Sequence, residues 1–483
     1  MNFRLIARLI GILIVFLGIS MIAPLIVSLL HADGSEQAFA LSMVVTCTLG
    51  MIVFWSAGGK PSDHYLSHRD GVAVVTLGWI VACAIATMPY LLSGAITNLT
   101  NAYFESMSGF TTTGASIITD IEKLPMGILL WRSETQWLGG MGIIVLSIAI
   151  LPFLGIGGMQ LYKAETPSPV VDKLTPRISD TAGSLWKIYI VFTIVQILLL
   201  FGGGMTLFDA VCHTFTTMPT GGFSTKNASI AHYRNPYFDF IIVVFMMIAG
   251  TSFSLHYKLF KGQFSTVRKD PELRVFWAVV ICFALLVTCD VYGNVYDNLA
   301  DSVRYATFQV VSMITTTGFV TADYEKWPAF SQQILLICMF LGSMAGSTGG
   351  AIKIMRFILL IKHSYLEIFR IIHPHATTVV KLGDMPVSQS VLRSIWGFFA
   401  LYIGLFTVAA LLMSLLGLDM ISSISSVATC LGNVGPGLGS VGPMDNFYGV
   451  PFLGKWILIF CMLLGRLEIF TIIVLLVPGF WKR

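Results

Sequence analysis

Four stretches of this sequence share one pattern of small and hydroxyl-bearing residues: Ser108-Gly-Phe-Thr-Thr-Thr-Gly114, Thr216-Thr-Met-Pro-Thr-Gly-Gly222, Ser312-Met-Ile-Thr-Thr-Thr-Gly318 and Thr429-Cys-Leu-Gly-Asn-Val-Gly435. Six residues before each last glycine stands Ser or Thr, and two before it stand Thr112, Thr220, Thr316 and Asn433. Nine before it stand the polar residues Glu105, His213, Gln309 and Ser426. The last glycines are 108, 96 and 117 residues apart, so the pattern is an internal repeat. Such stretches offer oxygens rather than a nucleophile. An alkali cation that sheds its water needs a ring of oxygens at fixed radius, which backbone carbonyls supply. Aiming successive carbonyls at one axis demands dihedrals that glycine accepts with little penalty, and threonine adds a hydroxyl oxygen. The coordinating residues would be Thr112, Thr113, Gly114, Thr220, Gly221, Gly222, Thr316, Thr317, Gly318, Asn433, Val434 and Gly435. Taken singly, each glycine is more simply a packing or turn residue. Recurrence in four equivalent places favours the cation.

A second constellation is Gly342-Ser-Met-Ala-Gly346-Ser347-Thr348-Gly349-Gly350-Ala-Ile-Lys353, a polar, glycine-rich interruption of an apolar run. Each interior glycine costs a helix about 1 kcal/mol relative to alanine, so a break is expected here. No Gly-Lys-Ser/Thr follows, which disfavours a phosphate loop. Irregular backbone at membrane depth has to line a cavity, and below the third glycine turn it could block or open a pore. Arg466 lies near the middle of an apolar run, where a charge costs roughly 2.5 to 3.5 kcal/mol. It should therefore face the pore or a carboxylate. Glu468, two residues on, is a poor partner on the same helix face. The functional reading makes Arg466 an electrostatic gate element, with Lys353 as a second positive group. The plainer one has it bonding carbonyls of the broken helix for stability.

Other polar residues read as scaffold. Arg132 and Glu134 are expected to pair with neighbouring loops, and Glu105 and His213 to hydrogen-bond the frame rather than hold a metal. His373-Pro374-His375 reads as an exposed turn, and Gly139-Gly140-Met-Gly142 as close helix packing. The eight cysteines, with no CxxC pair, are expected to be small buried hydrophobes.

These groups need elements to hold them, and the composition names the solvent. Charged residues make up 11% of 483, against about 25% in a soluble domain. Hydrophobic residues make up 55%, and mean hydropathy is +0.81. That excludes disorder, and a net charge of +4 disfavours nucleic acid as a partner. A bilayer asks for about 20 apolar residues per helix. Ten stretches qualify, near 9–30, 38–58, 72–92, 128–158, 184–206, 237–260, 275–296, 331–361, 394–417 and 452–477. With the N-terminus cytoplasmic, the inner side takes 21 of the 29 basic residues and 9 of the 25 acids, which fixes the orientation. The outer connections after the third, fifth, seventh and ninth spans hold segments too short to cross: Asn98 to Phe110, Leu207 to Met218, Ser302 to Ile314 and Asp419 to Leu431. They read as re-entrant half-helices, each ending in a glycine turn.

With these motifs in place, the sequence resembles the TrkH/TrkG-type membrane subunit of the bacterial Trk potassium-uptake system, within the Trk/Ktr/HKT superfamily. The resemblance covers essentially the whole chain. It implies an all-α polytopic fold of ten transmembrane helices, with four helix–pore-loop–helix units around one pore and two N-terminal helices. The corresponding divisions are 1–70, 71–182, 183–272, 273–390 with its broken second helix, and 391–483. It further implies one filter glycine per unit, glycine in all four being associated with potassium preference, and an intramembrane gating loop at Gly346 to Gly350. Implied partners are a second copy of the chain and cytoplasmic TrkA-like subunits that bind NAD or adenine nucleotides. No cofactor is expected on this chain itself, and K⁺ is the transported ion. An alternating-access transporter would need inverted repeats, whereas these four units share one polarity. An intramembrane enzyme would need a nucleophile with its base or a metal cluster, and no HExxH, GxSxG or paired catalytic carboxylates occur in the spans.

Overall fold

The computed structural model describes residues 1–58, 67–149, 178–375, 378–383 and 385–481. The expected helix after Ala149, and Lys60, Lys163, Lys173, Arg177, Lys482 and Arg483 on the inner side, lie outside the described residues. The chain is helical, and its one sheet among the described residues is the two-stranded hairpin Lys381–Leu382 with Met385–Pro386. Among the described residues six helices are long and apolar enough to cross a bilayer: Phe3–His31, Glu36–Ser56, Arg69–Leu92, Ala182–Gly202, Pro271–Val291 and Gln389–Leu415. The first two approach closely where Gly11 meets the backbone of Gly50 and Phe54, as small residues permit in lipid.

Each of the last four spans leads to a short helix: Leu99–Phe110, Leu207–Thr217, Leu299–Ile314 and Met420–Gly432. The local reason is the same four times. Asn98, Thr206, Asn298 and Asp419 cap these helices, each accepting a backbone N–H from the first turn with its side chain. Three caps lie sixteen residues before the last glycine and Asn298 lies twenty before it. The third half-helix therefore gains a turn and begins three residues earlier than expected.

The helices that follow the glycine segments differ. Met126–Ala149 runs unbroken. The third follower is split into Ala329–Cys338 and Ile354–Ile372, as the glycines foretold. The second and fourth depart from the continuous spans expected at 237–260 and 452–477. Pro236–Gly250 meets Phe253–Phe260 at 99°, and Phe452–Arg466 meets Phe470–Leu476 at 117°. At the first bend the Gly250 carbonyl accepts the Met344 N–H at 3.1 Å, so the freed backbone is repaid by the glycine-rich loop. At the second, Glu468 and Ile469 take positive φ values of 56° and 41°, and Glu468 pairs with Arg356. The cysteine expectation needs one correction. Cys47 is half-buried, and Cys282 and Cys289 are exposed, because these two lie on the face of Pro271–Val291 turned from the protein core.

Outside the half-helices the four connections are clasped in cyclic order. The first holds the second through the Ile121 N–H on Asn227 Oδ1 (2.7 Å), and the second holds the third through the Ala231 N–H on the Val320 carbonyl (3.0 Å). The Tyr324 hydroxyl donates to the Gly437 carbonyl (2.8 Å), and the Phe447 N–H donates to the Ser116 carbonyl (2.8 Å), closing the ring.

Candidate functional site

The glycine segments inside that ring repeat one backbone conformation. Thr112, Thr220, Thr316 and Asn433 all have positive φ, between 50° and 58°, and so do Gly114, Gly222, Gly318 and Gly435, between 73° and 104°. Three threonines and an asparagine in the left-handed region mark a strained, shared geometry. One hydrogen bond recurs in every segment. The N–H of Thr113, Gly221, Thr317 and Val434 donates to the carbonyl of Ser108, Thr216, Ser312 and Thr429, at 2.8 to 2.9 Å. This bond turns the chain back from the half-helix.

The glycines also locate the segments relative to one another. A methyl group on Gly114 would collide with the Gly221 carbonyl, on Gly222 with that of Thr317, and on Gly318 with that of Val434. On Gly435 it would stand 2.8 Å from the Thr113 carbonyl oxygen. The twelve residues singled out by spacing thus form one closed ring. Each last glycine presses on the carbonyl just before the next one. Glycine is required both for its φ and for this approach.

The half-helices hold the ring through side chains. Glu105 accepts the Ile117 N–H (3.0 Å) and takes Arg132 as a buried partner (Nη2 at 2.8 Å), while Arg132 Nη1 reaches the Ser224 carbonyl (3.3 Å). His213 Nε2 meets Ser224 Oγ at 2.9 Å. The Gln309 amide, turned with its oxygen toward the chain, accepts the Thr321 N–H at 2.8 Å. In the fourth unit the tether shifts by one residue: Ser425, not Ser426, donates to the Leu438 carbonyl (2.6 Å). Arg132 is therefore a scaffold cation, as expected. Glu134 is not its counterpart, and its Oε2 has no hydrogen-bond partner among the described residues. The close packing expected of Gly139 and Gly140 is present against the Phe110 backbone and Pro219.

The residues between the halves of the broken helix lie against the C-terminal ends of three half-helices. The Gly350 N–H donates to Thr316 Oγ1 (2.7 Å), and the Ala351 N–H donates to the Gly432 carbonyl (2.9 Å). Thr348 Oγ1 donates to the carbonyls of Met218 (3.0 Å) and Ala249 (3.2 Å). Gly346 has φ 77°. A side chain on Gly349 or Gly350 would strike Ser343 or the Gly432 backbone. Lys353 Nζ donates to the Gly349 carbonyl, with Ser347 Oγ at 3.5 Å. Arg466, buried at 2% exposure, donates from Nη1 to the Thr348 carbonyl at 2.7 Å. It meets a carbonyl of the broken helix, as the plainer of its two sequence readings has it, while Glu468 is taken by Arg356.

Comparison with known proteins decides the family. The TrkH family model, described as "Cation transport protein", matches residues 35–482. The chain belongs to the TrkH family. It is 42% identical to the Trk system potassium uptake protein TrkH of Escherichia coli K12, over the full length of both chains. It is 36% identical to TrkG of the same organism, over 99% of each chain. The crystal structure of the potassium transporter TrkH from Vibrio parahaemolyticus superposes with a TM-score of 0.91, at 39% identity and full coverage of both chains. As a TrkH family member with many apolar helices, the chain is a multi-pass membrane protein.

Sequence reasoning missed several residues of this TrkH family site. Gln136 brackets the second glycine segment, donating to the Gly221 carbonyl (2.9 Å) and accepting the Phe223 N–H (3.1 Å). Its signal was available: it lies four residues after Arg132, on the same face of an apolar helix. Asn433 was singled out by spacing, but not its donation to both Thr113 Oγ1 and the Met462 carbonyl, at 2.9 Å each. The Arg356–Glu468 pair spans 112 residues and left no local signature.

Proposed function

We propose that this protein carries potassium into the cell through a single channel-like pore. Its selectivity filter is formed by Thr112 to Gly114, Thr220 to Gly222, Thr316 to Gly318 and Asn433 to Gly435. The observation that supports this most strongly is the cyclic contact of the four last glycines with the next segment's carbonyl, which leaves a ring of uncharged oxygens suited to a dehydrated alkali cation. The half-helices aim the negative ends of their dipoles at the same place. The chain's relatives, potassium uptake proteins similar over the full chain, agree with it.

In this reading Gly346 to Gly350 close the pore below the filter, and Lys353 and Arg466 set a positive barrier there. The chain is organised as 1–70 followed by units 71–182, 183–272, 273–390 and 391–483. It lies in the bacterial inner membrane with both termini cytoplasmic and works as a homodimer. Cytoplasmic TrkA-like subunits that bind NAD or adenine nucleotides control it, docking on the basic inner loops. The chain has no enzymatic step of its own. Expression in a bacterium lacking potassium uptake tests the reading: growth at low potassium is expected, and no growth from a protein that reaches the membrane overturns it.

A further inference from the structure

The glycine-rich loop is gripped from the cytoplasmic side at two adjacent residues. Before the inner connection, the Phe253 N–H donates to the Gly346 carbonyl at 3.0 Å, just past the 99° bend. After it, Glu272 in the first turn of Pro271–Val291 accepts the Ala345 N–H at 2.8 Å. The same oxygen, Oε1, accepts the Met355 N–H at 3.3 Å, beyond the other end of the loop. Glu272 is 4% exposed. A buried carboxylate is costly to leave without partners, and here loop N–H groups on both sides of the break are gathered on one of its oxygens.

The connection between the two grips is compact and basic. It holds the short helices Phe253–Phe260 and Phe264–Lys269, with Lys261, Arg268 and Lys269 along it. Its far end is stiffened twice: Asp270 caps Pro271–Val291 by accepting the Leu273 N–H at 2.9 Å, and Arg274 Nε donates to the Arg268 carbonyl at 2.9 Å. At the near end His256 Nε2 meets the Ile248 carbonyl at 2.9 Å across the bend. A displacement of this elbow therefore pulls on Ala345 and Gly346 together.

We propose that Glu272 is a positioning residue that latches the loop shut, and that the 253–272 elbow is the handle through which the cytoplasmic side moves it. This rests on the reading of the loop as a gate. Charge-assisted hydrogen bonds are about twice as strong as neutral ones. A glutamine at 272 retains an oxygen acceptor without the charge, whereas an alanine removes the acceptor.

The test compares full-length wild type, E272A, E272Q and a variant lacking Gly346 to Gly349. Two readouts are used: potassium efflux from proteoliposomes, and amide hydrogen exchange over 342–356. E272A is expected to raise flux about tenfold, the scale of losing one charged hydrogen bond from the closed state, and to speed exchange. E272Q should fall between it and wild type in both. If the deletion leaks and E272A matches wild type in flux and exchange, the latch is wrong. If the deletion leaves flux unchanged, the gate reading fails instead, and exchange alone judges the latch: faster in E272A supports it, unchanged overturns it.

Discussion

Arg466 and Thr348 are 118 residues apart in sequence and 2.7 Å apart in space, the guanidinium of one donating to the backbone carbonyl of the other. The carbonyl belongs to the loop lying against the C-terminal ends of the second, third and fourth half-helices, so a residue on the last long helix fixes a backbone group on the third unit. Arg466 Nε and Nη2 have no hydrogen-bond partner among the described residues. The positive charge is thus held under the glycine ring by one bond and not neutralised by a carboxylate.

Replacing Arg466 by alanine removes both the charge and the bond to Thr348. Potassium flux in proteoliposomes should rise by roughly tenfold, the effect of one charged hydrogen bond lost from the closed state. Flux equal to wild type would show that Arg466 is structural only.

The four filter glycines should not be equally sensitive. Alanine at any of them meets the left-handed backbone penalty of about 1 to 2 kcal/mol. At Gly114, Gly222 and Gly318 it also drives a methyl into a neighbouring carbonyl, more deeply than the 2.8 Å approach at Gly435. Growth rescue at low potassium should be abolished by the first three changes and weakened least by G435A. Equal rescue by all four variants would contradict the ring geometry.

Glu105 and Arg132 are buried together, at 0% and 1% side-chain exposure. E105A strands the arginine, a loss of about 3 to 5 kcal/mol for a buried pair broken on one side. A large fall in melting temperature is expected from E105A. R132M with E105M should recover part of it, since an apolar pair of similar volume is often neutral. Additive losses in the double variant would show that the two residues act independently.

Asp33, in the turn between the N-terminal helices, accepts the Gly127 N–H at 2.8 Å and so ties that unit to the helix after the first glycine segment. Burial pushes its carboxyl up, but the bonds from Gly127, Ser28 and Ser35 outweigh this and hold it below the ordinary value. A lowered carboxyl contributes stability above its unfolded value of about 3.9, lost as pH falls through the folded one. Melting temperature should therefore drop in wild type below about pH 4, and drop less in D33N. Parallel acid profiles would remove Asp33 as the cause.

The half-helices and glycine turns could be read from the sequence because their determinants are local. A cap residue, a dozen moderately apolar positions and a glycine act through bonds within one turn of chain, and they recur four times. The glycine-rich break of the third unit could be read for the same reason. The bends at 251–252 and 467–469 could not. They are stabilised by groups far away in sequence, the Met344 N–H and the Arg356 guanidinium, and each interrupts a run whose composition is that of an ordinary span. That Arg466 bonds a carbonyl of the broken helix was one of its two sequence readings, but which carbonyl it takes, and that Arg356 takes Glu468, were equally hidden. Local chemistry thus determined the half-helices, the glycine turns and the break of the third unit. Only the tertiary structure decided which segments meet, because in a chain so poor in charge buried groups such as Arg466, Asn433 and Gln136 bond to distant backbone that the packing brings into reach.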